Sequence, residues 1–292
     1  MISVIICSIN KKLCEQVLSN INETIGTAWE AIVKDNMLEK KSITQVYNEA
    51  AQAARYDICC FVHEDVLFKT KDWGKKLIRE FELDDQLGLI GIGGSKYKSE
   101  LPSGWFTGIR ELDCCNIEHQ DKTGKQTQIY LNPDPAKQLQ EVAVIDGVFM
   151  CCPKNVWEKI QFDEQMLTGF HLYDIDFSFK VAQQYKVAVT FRIDMVHFTE
   201  GGNYGDEWIK YTLTWHEKMK HQLPFRTTDT KSETRKFNKI IVRNWLIRLK
   251  HENIHLLNKL SWLYFTTVYK LPDTWPNLPM FFFKQLFNGN RR

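Results

Sequence analysis

The chain has 292 residues, 43% of them apolar and 25% charged, with a formal net charge of +2. That is enough apolar chain to bury a real core, and too ordinary a mixture for a disordered, collagen-like or low-complexity protein. The near-neutral total hides an asymmetry: from Arg235 onward 11 Lys/Arg face only Glu252 and Asp273, a net of +9, whereas residues 1–234 carry −7. A break of this kind predicts a separate C-terminal module. The first 95 residues alternate strands and helices. Ser3 to Ser8 is an apolar, β-branched run, and Leu13, Val17, Leu18, Ile21 and Ile25 follow at helical spacing. Trp29 to Val33 is a second strand, and Ile43 to Ala54 a helix that Ser42 caps. Asp57 to Val62 is a third strand, Trp73 to Phe81 a helix, and Leu87 to Ile92 a fourth strand running into Gly93-Gly94. Alternation of this type predicts a mostly parallel sheet with helices on both faces.

Residues 95–140 read as loops and short strands, punctuated by Pro102, Gly104, Gly108, Pro133 and Pro135. Val142 to Cys152 reads as one strand around Asp146-Gly147, and Asn155 to Lys159 as a short helix. Asp174 to Gln184 is a helix, Val187 to Phe191 a strand, Val196-His197-Phe198 a further extended piece, and Glu207 to Lys220 a helix beyond Gly201-Gly202. In the tail, Phe237, Ile240, Ile241, Trp245 and Leu249 fall at helical spacing with basic residues beside them. No uncharged apolar run reaches about 18 residues, so no spanning helix is expected. Met1 leads directly into a strand-like run, so no signal peptide is expected either. Of three adjacent cysteine pairs, Cys59-Cys60 and Cys151-Cys152 lie in apolar runs and read as buried reduced thiols, consistent with a cytoplasmic protein. Adjacent cysteines lack the gap a zinc knuckle needs.

In open α/β sheets ligands bind beyond the carboxyl ends of the strands. Asp35, the cluster His63-Glu64-Asp65, and Asp146 all stand at such ends. A diphosphate there needs its charge offset, which a divalent metal on one or two carboxylates achieves. The competing reading is that Glu64 and Asp65 merely cap the next segment. Asp174 and Asp176 stand two apart on a helix and cannot share a face. The competing reading is a first-turn acid that favours the helix dipole, which fits Asp176 better than Asp174. Gly91 to Gly94 suits a phosphate cradle or a tight turn. Trp105 and Trp208 suit stacking on a sugar.

In these motifs the sequence resembles family-2 glycosyltransferases of the GT-A fold, in a bacterial glycosyltransferase-like branch. Ile2 to Ser8 is similar to their opening nucleotide-binding strand, and Val33-Lys34-Asp35-Asn36 to the second strand end. Tyr47-Asn48-Glu49-Ala50-Ala51 resembles the helix before the metal motif, and His63-Glu64-Asp65 falls where that family carries Asp-x-Asp. His63 departs from the pattern, since an Asp is expected there. Tyr173-Asp174-Ile175-Asp176 resembles the Glu-Asp-x-Asp motif, with Tyr173 in place of the Glu. The resemblance covers about residues 1–220. It implies a GT-A, Rossmann-like sheet over residues 1–225, with a nucleotide-binding half at 1–95 and an acceptor and donor-sugar half at 96–225. Outside the resemblance, residues 226–292 are expected to form a basic, aromatic helical tail.

The resemblance further implies that Asp65 and His197 hold Mn²⁺ or Mg²⁺ and that Asp174 is the catalytic base, with Asp176 as a second acid. Ser8, Asp35, Asn48, His63 and Glu64 would meet the nucleotide, and Asp146, Gly147 and Tyr173 the sugars. The expected reaction is inverting transfer from a UDP-sugar to a carbohydrate or lipid-linked acceptor in surface polysaccharide or glycolipid synthesis. No Gln-x-x-Arg-Trp motif is present, which favours single addition over processive synthesis. Two other readings compete: a nucleotidyltransferase that makes nucleotide sugars, although residues 7–14 lack a Gly-rich triphosphate grip, and a non-catalytic binding protein on the same fold. Residues 235–292 suit an anionic membrane surface on its cytoplasmic side, packing on the catalytic domain, or a second subunit. Nucleic acid is not an expected partner.

Overall fold

The computed structural model describes residues 1–199, 204–227, 233–250 and 252–268. The Gly201-Gly202 loop, Trp275 and the Phe281-Phe282-Phe283 run lie outside the described residues. The chain opens with β1 (Ile2–Ser8), whose Ile2, Val4, Ile5 and Ile6 are fully buried, as a central strand requires. Next comes α1 (Lys11–Thr24), where the Asn10 side chain accepts the amide hydrogens of Lys12 and Leu13, and Cys14, Val17, Ile21 and Thr24 face inward. After β2 (Trp29–Asp35), α2 (Ile43–Ala53) starts on a Ser42–Gln45 capping box. Such caps stabilise a helix by about 1 kcal/mol.

The chain continues through β3 (Ile58–Val62), β4 (Val66–Phe68), α3 (Trp73–Leu83), β5 (Leu87–Gly91), β6 (Gly93–Ser95), β7 (Tyr97–Lys98), β8 (Asp113–Gln120), β9 (Gln126–Leu131) and β10 (Leu139–Val142). Then follow β11 (Val144–Ile145), β12 (Phe149–Pro153), α4 (Lys154–Ile160), α5 (Tyr173–Ala182), β13 (Lys186–Thr190), β14 (Met195–Phe198), α6 (Asp206–Met219), β15 (Phe225–Arg226), α7 (Thr234–Lys250) and α8 (Leu256–Leu263).

The main sheet has the order β10-β13-β5-β12-β3-β1-β2. Strands β1, β2, β3, β5 and β13 run one way, and β12 and β10 run against them. A second sheet has the order β11-β6-β8-β14-β4, with β9 beside β8. This is the mostly parallel α/β architecture that the alternation predicts.

Residues 95–140 hold loops and short strands, as the sequence predicts, and β8 and β9 pair across six register positions to build much of the second sheet. Two expectations need correction. Val142 to Cys152 is not one strand. The Asp146 carboxylate accepts the Val148 amide hydrogen at 2.9 Å, which turns the chain. That turn sends β11 to the second sheet and β12 between β3 and β5. The glycines at 91–94 end β5 and open β6. A Cβ on Gly94 would stand 2.4 Å from the Val144 carbonyl oxygen, so they allow two strands to approach. Finally, Cys60 and Cys151 are disulfide-bonded, not reduced. Adjacent strand residues point to opposite faces, so the two Cys pairs place Cys60 against Cys151 on one face and Cys59 against Cys152 on the other. Cys59 and Cys152 stay free.

Helix α7 of the tail belongs to the core. Phe237, Ile241, Val242, Trp245, Leu246 and Leu249 of α7 share a cluster with Tyr97, Leu101 and Trp215. Trp208 stacks on Trp245 with ring centroids 4.6 Å apart and is 4% exposed, so it is a packing residue with no open face for a sugar. The α8 indole of Trp262 donates to the Pro102 carbonyl at 3.0 Å. Among the described residues, no helix is long and apolar enough to cross a membrane.

Candidate active site

Strand β3 ends at Val62, and His63-Glu64-Asp65 forms the turn into β4. Two backbone bonds fix that turn: His63 N–H donates to Val148 O at 3.1 Å, and Phe198 N–H to Asp65 O at 2.8 Å. The second bond holds β14 alongside and brings His197 to the cluster. His197 Nε2 lies 3.4 Å from Asp65 Oδ2, and His63 Nδ1 lies 3.9 Å from Asp65 Oδ1. One ligand atom from each of His63, Asp65 and His197 falls within 4.8 Å of the others. Burial opposes ionisation of Asp65, but the hydrogen bond and charge of His197, with His63 behind it, hold this carboxyl below its ordinary range. An ionised carboxylate between two imidazoles, all half-buried, is a fitting donor set for a divalent ion.

The facing wall comes from the β11–β12 turn and the start of α5. Leu172 precedes the helix in the left-handed region (φ 66°), an uncommon conformation for a residue with a branched side chain. Asp174 then accepts the Gly147 amide hydrogen at 3.0 Å and that of Ile175 at 2.8 Å. Gly147 is required here, because a Cβ would meet the Tyr173 hydroxyl at 2.2 Å. Tyr173 in turn reaches His63 Nε2 at 2.7 Å, which joins the two walls. Burial, and then the neighbouring Asp146 carboxylate, push the Asp174 carboxyl up to about 7. Asp146 is itself held by the Trp105 indole, which donates to it at 2.6 Å.

Most of the expected site residues gather at this sheet edge. Ser8 Oγ donates to Glu64 at 2.6 Å, and the amides of Ile9 and Asn10 donate to the same carboxylate. Glu64 thus closes the β1–α1 turn beside the cluster. Asp35 stands opposite Ser8 in the β1–β2 register, exposed, and accepts the Met37 amide hydrogen at 3.0 Å.

Two residues are used elsewhere. The Asn48 amide donates to Phe162 O and Glu164, and accepts from Trp157 and the Phe162 amide, so its bonds all brace the α4–α5 segment. Asp176 is fully buried, accepts from the Trp215 indole at 3.0 Å, and pairs with Lys180 at 2.7 Å. His119, which the sequence offers only as a companion of Cys114-Cys115, instead stands beside His197. The β8–β14 register sets the two opposite each other, with ring centroids 5.5 Å apart. Trp105 offers only the weak cue of a tryptophan in a Gly- and Pro-marked loop.

A family model described as "Glycosyltransferase like family" matches residues 3–222. The chain belongs to that family. No curated protein matches the sequence. Among solved structures, the mannosyltransferase PcManGT from Pyrobaculum calidifontis, in complex with GDP-Man and Mn²⁺, is 13% identical with a TM-score of 0.51, over 99% of this chain and 86% of its own. GalNAc-T7 with UDP, GalNAc and Mn²⁺ is 11% identical with a TM-score of 0.51, over 87% of this chain; this chain spans 58% of that one. S. aureus TarS 1-349 is 11% identical with a TM-score of 0.50, over 90% of this chain and 77% of its own. At these identities the likeness speaks to the fold, which is the GT-A arrangement of the glycosyltransferase-like family. The family match ends just after α6, so α7 and α8 lie outside it.

Proposed function

We propose that this family member is an inverting, metal-dependent glycosyltransferase that moves a sugar from a nucleotide-sugar, a UDP-sugar, to an acceptor hydroxyl. The observation that carries the reading is the facing of two unlike walls. His63, Asp65 and His197 converge on one side, and Asp174, poised at about 7, stands on the other beside Asp146. Asp174 takes the proton of the acceptor hydroxyl as that oxygen bonds to the anomeric carbon. The bond from that carbon to the diphosphate oxygen breaks in the same displacement, and the nucleoside diphosphate departs. Asp146 keeps Asp174 basic enough to accept the proton, and the Gly147 amide holds its carboxylate in place. A divalent ion on Asp65 and His197, Mn²⁺ or Mg²⁺, would neutralise the departing diphosphate. Ser8, Asp35 and Glu64 mark the edge where the nucleoside would lie.

Incubation with a panel of UDP- and GDP-sugars and Mn²⁺, read as release of nucleoside diphosphate, tests the reading. Neither transfer nor hydrolysis with any donor, together with no metal-dependent UDP binding, would sink it and favour a non-catalytic binding protein. Pyrophosphate release from UTP and a sugar phosphate would instead mark a nucleotidyltransferase.

The acceptor we propose is lipid-linked, in surface polysaccharide or glycolipid synthesis. Leu256, Leu257, Leu260 and Tyr264 form an exposed apolar face along α8 and the turn beyond it, within the basic tail. Such a face suits the surface of an anionic membrane. Leu257→Glu with Leu260→Glu should reduce co-sedimentation with vesicles containing anionic lipid; an unchanged pellet fraction would reject the membrane role.

A further inference from the structure

The two positions at which this chain departs from the family motifs are in contact. His63 Nε2 and the Tyr173 hydroxyl are 2.7 Å apart, although 110 residues separate them in sequence. The hydroxyl also lies 3.3 Å from the Gly147 carbonyl oxygen. A carbonyl only accepts, and a phenol has a single proton to donate. If that proton goes to Gly147, the phenol oxygen must accept from His63, which places the imidazole proton on Nε2. Nδ1 is then left with a lone pair. It is also the nitrogen on the Asp65 side, 3.9 Å from Oδ1. His197 Nε2 approaches the other Asp65 oxygen at 3.4 Å.

We infer that His63 is a third metal ligand through Nδ1, that Tyr173 is the positioning residue that sets its tautomer, and that the resulting set of two imidazoles and one carboxylate selects a first-row transition ion over Mg²⁺. The two ring nitrogens of a histidine divide these roles by the hydrogen bond that one of them makes. An outer hydrogen bond of this kind orients the ring and raises its basicity as a ligand. Mg²⁺ demands near-octahedral oxygen ligands and sheds water reluctantly, whereas imidazole suits first-row ions such as iron, nickel, copper and zinc, with manganese the weakest binder of that series. A carboxylate at position 63 would supply oxygen and remove this discrimination. Gly147 completes the device, since any Cβ there would drive the Tyr173 hydroxyl off its position. The inference rests on the glycosyltransferase reading only in expecting a divalent ion at this place.

Calorimetric titration with Mn²⁺ and with Mg²⁺, each with and without UDP, tests it without a turnover assay. The wild-type protein should bind Mn²⁺ more tightly than Mg²⁺, by about 10-fold or more. His63→Ala should weaken Mn²⁺ by about 10-fold or more and leave Mg²⁺ nearly unchanged, while His63→Asp should shift the preference toward Mg²⁺. Tyr173→Phe, which keeps the ring and its packing, should weaken Mn²⁺ by about 10-fold. Pulsed EPR of bound Mn²⁺ should show ¹⁴N coupling that falls in His63→Ala and persists in His63→Ala only through His197. Wild-type affinity for Mn²⁺ in His63→Ala, with binding lost in Asp65→Asn, overturns the inference and leaves the metal-dependent reading standing. Unchanged Mn²⁺ affinity in Tyr173→Phe overturns the positioning role. No Mn²⁺ binding by the wild type in either arm overturns both this inference and the metal part of the proposed function.

Discussion

The two walls of the site treat the same side chain in opposite ways. On the β3–β14 wall, His197 and His63 hold the Asp65 carboxyl below its ordinary range, so it is ionised whenever the protein is folded near neutrality. On the α5 wall, burial and the Asp146 carboxylate lift Asp174 to about 7. In the proposed mechanism one aspartate would hold a cation and the other exchange a proton. The difference lies in the neighbours: imidazoles on one side, a second carboxylate on the other. Pairs of acids whose surroundings drive them apart mark sites where one group stays charged and another titrates.

Separating the walls by mutation should show this division. The largest effect is expected from Asp174→Asn, which keeps the shape and removes the proton acceptor. Transfer should fall by about 10²–10⁴-fold with UDP and metal affinity retained, measured by turnover beside calorimetry. Near-normal turnover would reject the assignment. Gly147→Ala strikes the seam between the walls, because its Cβ would meet the Tyr173 hydroxyl at 2.2 Å. A displacement near 1 Å in that turn should lower turnover by up to about 10²-fold, while the far-ultraviolet CD spectrum stays native.

The pH profile gives a gentler test. Asp174 must be deprotonated to accept a proton, so the rate should rise with pH and level off above a midpoint near the value of about 7. Asp146→Asn removes the second cause of that elevation, so the midpoint should move to lower pH. A midpoint that stays put would mean that Asp146 does not face the base. The smallest effect on catalysis is expected from Asp176→Asn, two residues along the same helix. Its carboxylate serves Trp215 and Lys180, so the pH midpoint should be unchanged while stability falls by about 1–3 kcal/mol, read by chemical denaturation.

The tail offers a contrast of another kind. Its charge asymmetry and apolar stripe are both plain in the sequence, yet they left membrane, subunit and intramolecular packing equally open. The structure places Trp245 face to face with Trp208, so the stripe of α7 is taken up by the core. What remains exposed is the α8 face around Leu256, Leu257 and Leu260, which the charge count did not single out.

The alternation of strand and helix through residue 95, the Ser42 cap and the acidic residues at strand ends were legible because they are local. Apolar period, cap chemistry and chain reversal act over a few residues and leave their mark in order along the chain. The glycosyltransferase-like motifs were legible for the same reason, even with His63 and Tyr173 out of pattern. The rest depends on contacts between distant residues. The second sheet, the break at Asp146-Gly147 and the Cys60–Cys151 bond follow from which strands become neighbours, and a local pattern does not encode pairing partners. Asp174 and Asp176 both read as first-turn acids in sequence; only the packing of α5 turns one toward Gly147 and the other toward Trp215. His63 and Tyr173 each looked like a lost carboxylate until the fold set them 2.7 Å apart.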